Sequence, residues 1–99
     1  MDKVRVGVIG AGLFGETHAS VFSELPNVEL VAVADVRGER AEEVAGKCGA
    51  KYHYGDWRRL VERDDIDAVS VVTPEDAHRD PVVEAADAGK HVLVEKPIA

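Results

Sequence analysis

Cysteine is nearly absent: Cys48 is the only one in 99 residues. A single thiol makes no internal disulfide, and thiolate metal clusters are excluded, so no metal site is expected. Positive charge is scarce as well, with 12 Lys plus Arg against 19 Asp plus Glu and a formal net charge of −7. A protein that grips a phosphate backbone needs a surplus of cations, so nucleic acid is not an expected partner. No apolar run approaches the ~18–20 residues that cross a bilayer, and no membrane partner is expected. Met1-Asp2-Lys3-Val4 leads straight into a strand-like pattern, with no space for a secretory leader, so the expected location is cytoplasmic. Linkers, repeats and low-complexity stretches are missing too. About 100 residues of this composition make one globular domain, here residues 1–99.

What is present alternates. Residues 4–9, Val-Arg-Val-Gly-Val-Ile, are β-branched and apolar and stop at a glycine cluster, as a short buried strand does. From Leu13 the period turns helical, with Phe14, His18, Val21, Phe22 and Leu25 expected on one face and Pro26-Asn27 as the stop. Residues 29–34 read as a second strand, apolar enough for a sheet covered on both faces. Ala41, Val44, Ala45 and Cys48 predict a second helix capped by Gly49. Lys51-Tyr52-His53 predicts a short third strand. Asp56 caps a short helix that buries Trp57, Leu60 and Val61. Residues 68–72 form the fourth strand, residues 76–88 a helix with Pro81 near its first turn, and His91–Val94 the fifth strand. Strand–helix units closed by a strand predict an α/β fold: a doubly wound parallel sheet of about five strands in the order 3-2-1-4-5, Rossmann-like, with helices on both faces. A barrel needs far more chain.

Gly10-Ala11-Gly12-Leu13-Phe14-Gly15 is a G-x-G-x-x-G element lying after a predicted strand and before a predicted helix. In that context each glycine has its own reason. Gly10 permits the tight turn, Gly12 removes a Cβ that would block a pyrophosphate, and Gly15 lets the helix approach the strand. The phosphates then meet free N–H groups at the positive end of the helix. Asp35, twenty residues after Gly15, stands where a carboxylate accepts the ribose hydroxyls of an adenosine, and it also suits a helix N-cap. Its charge opposes a 2′-phosphate and favours NAD, whereas Arg37 can accommodate a phosphate and keeps NADP open. Thr73 and Pro74 close the fourth strand at the edge where such sheets bind ligands; an ordinary strand exit reads the same way. His78 is either a ligand contact or a surface histidine, and His18 suits a core-edge histidine. Glu95-Lys96-Pro97 follows the fifth strand. Lys96 can reach a substrate oxygen and handle its proton, although by itself the tripeptide is only a charged turn.

Together these residues resemble the N-terminal NAD(P)-binding domain of the glucose-fructose oxidoreductase/inositol dehydrogenase (Gfo/Idh/MocA-like) family over essentially the whole chain. The resemblance rests on Gly10-x-Gly12-x-x-Gly15-x-x-His18, Ala34-Asp35, Thr73-Pro74 with His78, and above all Ala88-Gly89-Lys90-His91-Val92-Leu93-Val94-Glu95-Lys96-Pro97. It implies that Lys96 contacts substrate and transfers a proton, that the glycines and Asp35 hold the cofactor, and that Thr73-Pro74 borders the nicotinamide. It also implies a further substrate domain after Glu-Lys-Pro, which a chain ending at Ala99 is expected to lack. Glu75-Asp76 departs from the small or neutral residues common there.

The expected function is therefore an NAD(P)-dependent oxidoreductase acting on a hydroxyl-bearing carbon of a sugar, cyclitol or polyol. Cofactor-binding residues are Gly10, Gly12, Leu13, Phe14, Gly15, Asp35, Arg37, Thr73, Pro74, His78, Glu95 and Lys96, and Lys96 is the catalytic one. These 99 residues alone are expected to bind cofactor with little or no turnover. The alternative is a non-catalytic NAD(H)-binding module that needs a separate substrate domain. A methyltransferase fits poorly, explaining neither Gly15 nor Glu95-Lys96-Pro97. A domain of this size with an incompletely covered sheet is also expected to self-associate as a homo-oligomer.

Overall fold

The structure, a computed structural model, describes residues 3–10, 12–72 and 79–94. Strand β1 spans Val4–Ile9, helix α1 Leu13–Glu24, β2 Val28–Ala34, α2 Gly38–Cys48, β3 Tyr52–Tyr54, α3 Trp57–Val61, β4 Ala68–Val71, α4 Arg79–Asp87 and β5 His91–Val94. The five strands are parallel, in the order β3-β2-β1-β4-β5. The chain winds outward from β1 to β3, then crosses back to β4 and β5. Strand order reverses between β1 and β4, which opens the crevice where doubly wound sheets receive ligands.

Each face of the sheet buries its own apolar cluster. Ala19 of α1 and Ala41, Val44 and Ala45 of α2 pack on Val8, Leu30 and Val33. Leu60 and Val61 of α3 and Ala85 of α4 pack on Ile9, Val31, Ala34, Val69 and Val71 on the other face. The register skips Val31, since Val6 pairs with Leu30 and Gly7 with Ala32. That extra residue explains why neighbours Val31 and Ala32 share one cluster.

The expected face of α1 is corrected. Val21 is half exposed and Leu25 lies beyond the helix end, also exposed, while Gly15 and Ala19 are buried and Phe22 packs at the margin. Gly15 sets the rotation: the helix turns its smallest side toward β1 because nothing larger fits there. The other shifts are small. β3 begins at Tyr52, one residue late, and β4 ends at Val71. The described part of the fourth helix is Arg79–Asp87, and residues 73–78 lie outside the described residues. The caps fall as read. Gly49 adopts the left-handed conformation at φ 77°, and Asp56 accepts a hydrogen bond from the Arg58 backbone N–H at 3.0 Å.

Paired charges hold the loop that precedes β4. Arg5 grips Asp67 through Nε and Nη2 at 3.1 and 3.0 Å, and Lys90 Nζ donates to the carbonyls of Arg63 and Ile66 at 2.7 and 2.9 Å. Arg63 makes a two-pronged contact to Asp65, donates to the Tyr54 hydroxyl at 2.8 Å and lies 3.7 Å over the Tyr52 ring. A cation thus packs on both tyrosines of the short edge strand β3.

Candidate functional site

The G-x-G-x-x-G turn stands at the carboxyl end of β1, beside the reversal of strand order. Gly10 has φ 104°, a conformation that side chains with a Cβ rarely adopt, and its N–H donates to the Ala34 carbonyl at 2.7 Å. The turn is thereby tied to the carboxyl end of β2. A Cβ on Gly15 would stand 1.8 Å from the Gly10 carbonyl oxygen, so helix and strand are in backbone contact there. Gly12 is different. Its φ of −73° suits any residue, and a Cβ built on it meets nothing within 4 Å. Neither packing nor conformation asks for glycine at position 12. A Cβ there would extend into open space before the first turn of α1.

Leu13 and Phe14 open α1, and Gly12 stands at its N-cap without a side-chain hydrogen bond. The N–H groups of that first turn are the ones left over by any helix, at the positive end of its dipole. Asp35 follows β2 directly. Its N–H donates to the Tyr54 carbonyl at 3.1 Å, and its Oδ1 accepts from the Arg37 N–H at 2.8 Å. The carboxylate therefore pins the turn into α2, but Asp35 is not the helix N-cap that the sequence suggested: that position is Arg37, which has no side-chain cap hydrogen bond. Arg37 is exposed on that turn, and Val36 beside it is 87% exposed.

Thr73, Pro74, His78, Glu95 and Lys96 lie outside the described residues. β4 and β5 end at Val71 and Val94, on the same carboxyl edge as the glycine turn. His18 is half-buried with its ring tilted against Phe22 at 6.4 Å, as a core-edge histidine would be. His53 and His91 are exposed.

Sequence reasoning missed the charge cluster behind the turn. Glu16, in the first turn of α1, is met by Arg40 Nη2 at 3.0 Å and Lys47 Nζ at 3.6 Å, both from α2. Arg40 and Lys47 lie seven residues apart on one helix, and that spacing was the available signal. Gly7 was also passed over. A Cβ there would meet Leu60 Cδ2 at 2.6 Å, so the strand thins to admit α3.

Five parallel strands in this order, with a glycine turn at the point of reversal, define the Rossmann class. Residues 4–99 match the oxidoreductase family with an NAD-binding Rossmann fold, and the chain belongs to that Gfo/Idh/MocA family. It is 41% identical over 96 residues to the 4-carboxy-2-hydroxymuconate-6-semialdehyde dehydrogenase of Sphingobium sp. (strain NBRC 103272 / SYK-6), covering 97% of this chain and 30% of that protein. It is similar to the crystal structure of myo-inositol dehydrogenase from Lactobacillus casei in complex with NAD(H) and myo-inositol, with a TM-score of 0.89 and 38% identity over 98% of this chain and 29% of that one. A 3-ketoreductase from Actinomadura kijaniata, in complex with TDP-benzene and NADP, gives a TM-score of 0.86 and 35% identity over 94% of this chain and 30% of that one. The chain spans about 30% of the length of these relatives.

Proposed function

We propose that this chain is the dinucleotide-binding part of an NAD(P)-dependent oxidoreductase that acts on a hydroxyl-bearing carbon of a sugar, cyclitol or polyol. The observation that carries the reading is the open space at Gly12, bounded by the first turn of α1 and tied by Gly10 to the strand that delivers Asp35. In this reading the backbone from Gly10 through Leu13 and Phe14 to Gly15 holds the pyrophosphate, and the second oxygen of Asp35 accepts a ribose hydroxyl. The carboxylate disfavours a 2′-phosphate, so NAD is preferred over NADP, and Arg37 moderates the preference. When bound, the nicotinamide supplies hydride transfer.

Thr73, Pro74 and His78 border the nicotinamide side, with Glu95 nearby. Lys96, two residues after β5, holds the substrate oxygen and passes its proton. The 99 residues contain one catalytic candidate, so cofactor binding with little or no turnover is the expected behaviour. The substrate pocket is assigned to chain outside them.

Calorimetric titration of the chain with NAD⁺/NADH and with NADP⁺/NADPH tests the reading. NAD(H) binding that Asp35→Ala weakens supports it. Preference for NADP(H) means that Arg37 outweighs Asp35, and no binding to either overturns the site.

A further inference from the structure

Glu16 puts a negative charge where the proposed site needs to attract one. It follows Gly15 directly, and its backbone N–H donates to the Gly12 carbonyl at 2.8 Å, so its carboxylate belongs to the first turn of α1. An acid there is favourable for the helix alone, since it complements the positive end of the dipole. For a helix end that is also to receive a pyrophosphate, the same charge is a competitor for the same N–H groups and the same field.

α2 answers that charge from 24 residues away. Arg40 Nη2 contacts Glu16 Oε1 at 3.0 Å, and Lys47 Nζ reaches the same oxygen at 3.6 Å. The arginine is the better held of the two, its side chain 22% exposed against 58% for the lysine. Arg40 also pairs with Glu43 through Nη1, and its backbone N–H donates to the Arg37 carbonyl at 3.0 Å. Its side chain therefore rises from the first turn of α2, just after Asp35, and ends on α1, whose N-cap is Gly12. One residue links the two halves of the candidate site.

We propose that Arg40 is a positioning residue for the dinucleotide, holding and neutralising Glu16 so that the first turn of α1 stays receptive to the pyrophosphate. The inference rests on the pyrophosphate reading of the Gly10–Gly15 turn. Partly exposed ion pairs add little to stability, so the effect belongs in cofactor affinity more than in folding.

NADH is titrated into the wild-type chain, Glu16→Gln, Arg40→Gln, Arg40→Lys and the Glu16→Gln/Arg40→Gln double variant, with thermal unfolding recorded for each. Arg40→Gln should bind about two- to fivefold more weakly, and Arg40→Lys should recover most of that loss. Glu16→Gln should bind at least as tightly as wild type, and the double variant should match it, because removing the acid removes the need for the cation. The deficit of Arg40→Gln should shrink in about 0.5 M salt, where mobile ions screen the exposed carboxylate. Arg5→Gln, which breaks the Arg5–Asp67 pair, is the control that lowers stability without moving NADH affinity.

Wild-type affinity in Arg40→Gln overturns the proposal. So does a double variant as weak as Arg40→Gln, which would mark the arginine as structural. A wild-type chain that binds no dinucleotide overturns the underlying reading as well, and is distinguished from the first two results because in those wild type binds.

Discussion

The backbone of Gly15 touches the backbone of Gly10: a Cβ on the first would lie 1.8 Å from the carbonyl oxygen of the second. Helix α1 is thereby seated against β1 as closely as two chains can be, and its N-terminal N–H groups are carried to the carboxyl edge of the sheet. Gly12, three residues earlier, has room for a side chain and is still glycine. One glycine serves packing and the other serves empty space.

Substituting the two glycines should therefore give opposite results. Gly15→Ala forces α1 off the strand and should cost about 3 kcal/mol or more, a large share of a small domain's stability. Gly12→Ala should leave the free energy of unfolding in urea within about 1 kcal/mol of wild type, since its backbone angles suit alanine. It should weaken NADH binding about tenfold or more by occupying the phosphate space. Equal destabilisation in both variants would contradict the distinction.

At Asp35 two roles separate by substitution. Asparagine keeps the oxygen that accepts from the Arg37 N–H but loses the charge, whereas alanine loses both. Asp35→Asn should keep near-wild-type stability and narrow the preference for NAD(H) over NADP(H). Asp35→Ala should lose about 0.5–1.5 kcal/mol as well, the worth of one hydrogen bond. Paired calorimetric and thermal measurements on both variants decide it.

The fold was legible because its signals are local. Apolar runs, glycine caps at Gly49 and Gly89 with φ 77° and 80°, and the Asp56 cap each act within a few residues. The rotation of α1 was not legible from hydrophobicity, since Val21 and Leu25 look like better core residues than Gly15 and Ala19. Contact with Gly10 decides that face, and a pattern of apolar side chains does not record where a backbone must touch another backbone. The same limit hid Arg40 and Glu16. Their pairing depends on the distance between two helices, which no single helix encodes. The geometry of the glycine turn was legible because it follows from one strand–turn–helix unit.

Gly7 and Leu60 should couple. A Cβ at Gly7 would approach Leu60 Cδ2 to 2.6 Å, and Leu60 is fully buried beneath β1. Gly7→Ala should cost about 1–3 kcal/mol through overpacking, and Leu60→Ala about 2–5 kcal/mol through the cavity it leaves. In the double variant the new methyl enters the vacated space, so the combined cost should fall short of the sum by about 1 kcal/mol. Strict additivity in chemical denaturation would count against the contact.

Acid should unfold the chain partly through Asp67 and Asp65. Side-chain hydrogen bonds from Arg5, with the Arg5 backbone N–H adding to them, hold the Asp67 carboxyl below its ordinary 3.8. Hydrogen bonds from Arg63 do the same for Asp65. A carboxyl whose folded pKa is depressed contributes stability above its unfolded value and loses it as the pH falls through the folded one. Both contributions should therefore be intact above pH 3.8 and vanish progressively below it. Asp67→Asn should be less stable than wild type at neutral pH, and its stability should fall less steeply below pH 3.8. Parallel curves for the two proteins across that range would remove Asp67 from the account.

Two glycines near the end of α2 should respond in opposite directions to the same substitution. Gly46 lies inside the helix, exposed, with nothing within 4 Å of a Cβ placed there. Alanine at that position narrows the unfolded chain's freedom and meets no clash, so Gly46→Ala should stabilise by about 0.5–1 kcal/mol. Gly49 has equal space but φ 77°, where the helix ends in a left-handed turn and the Ala50 N–H returns to the Ala45 carbonyl at 2.9 Å. A Cβ in that conformation crowds its own backbone, so Gly49→Ala should destabilise by about 1 kcal/mol although it touches nothing else. Thermal melts of the two single variants and their combination measure this directly. The three-residue separation within one cap makes the combination informative: because backbone conformation, and not a shared contact, sets both effects, the double variant should fall near wild type.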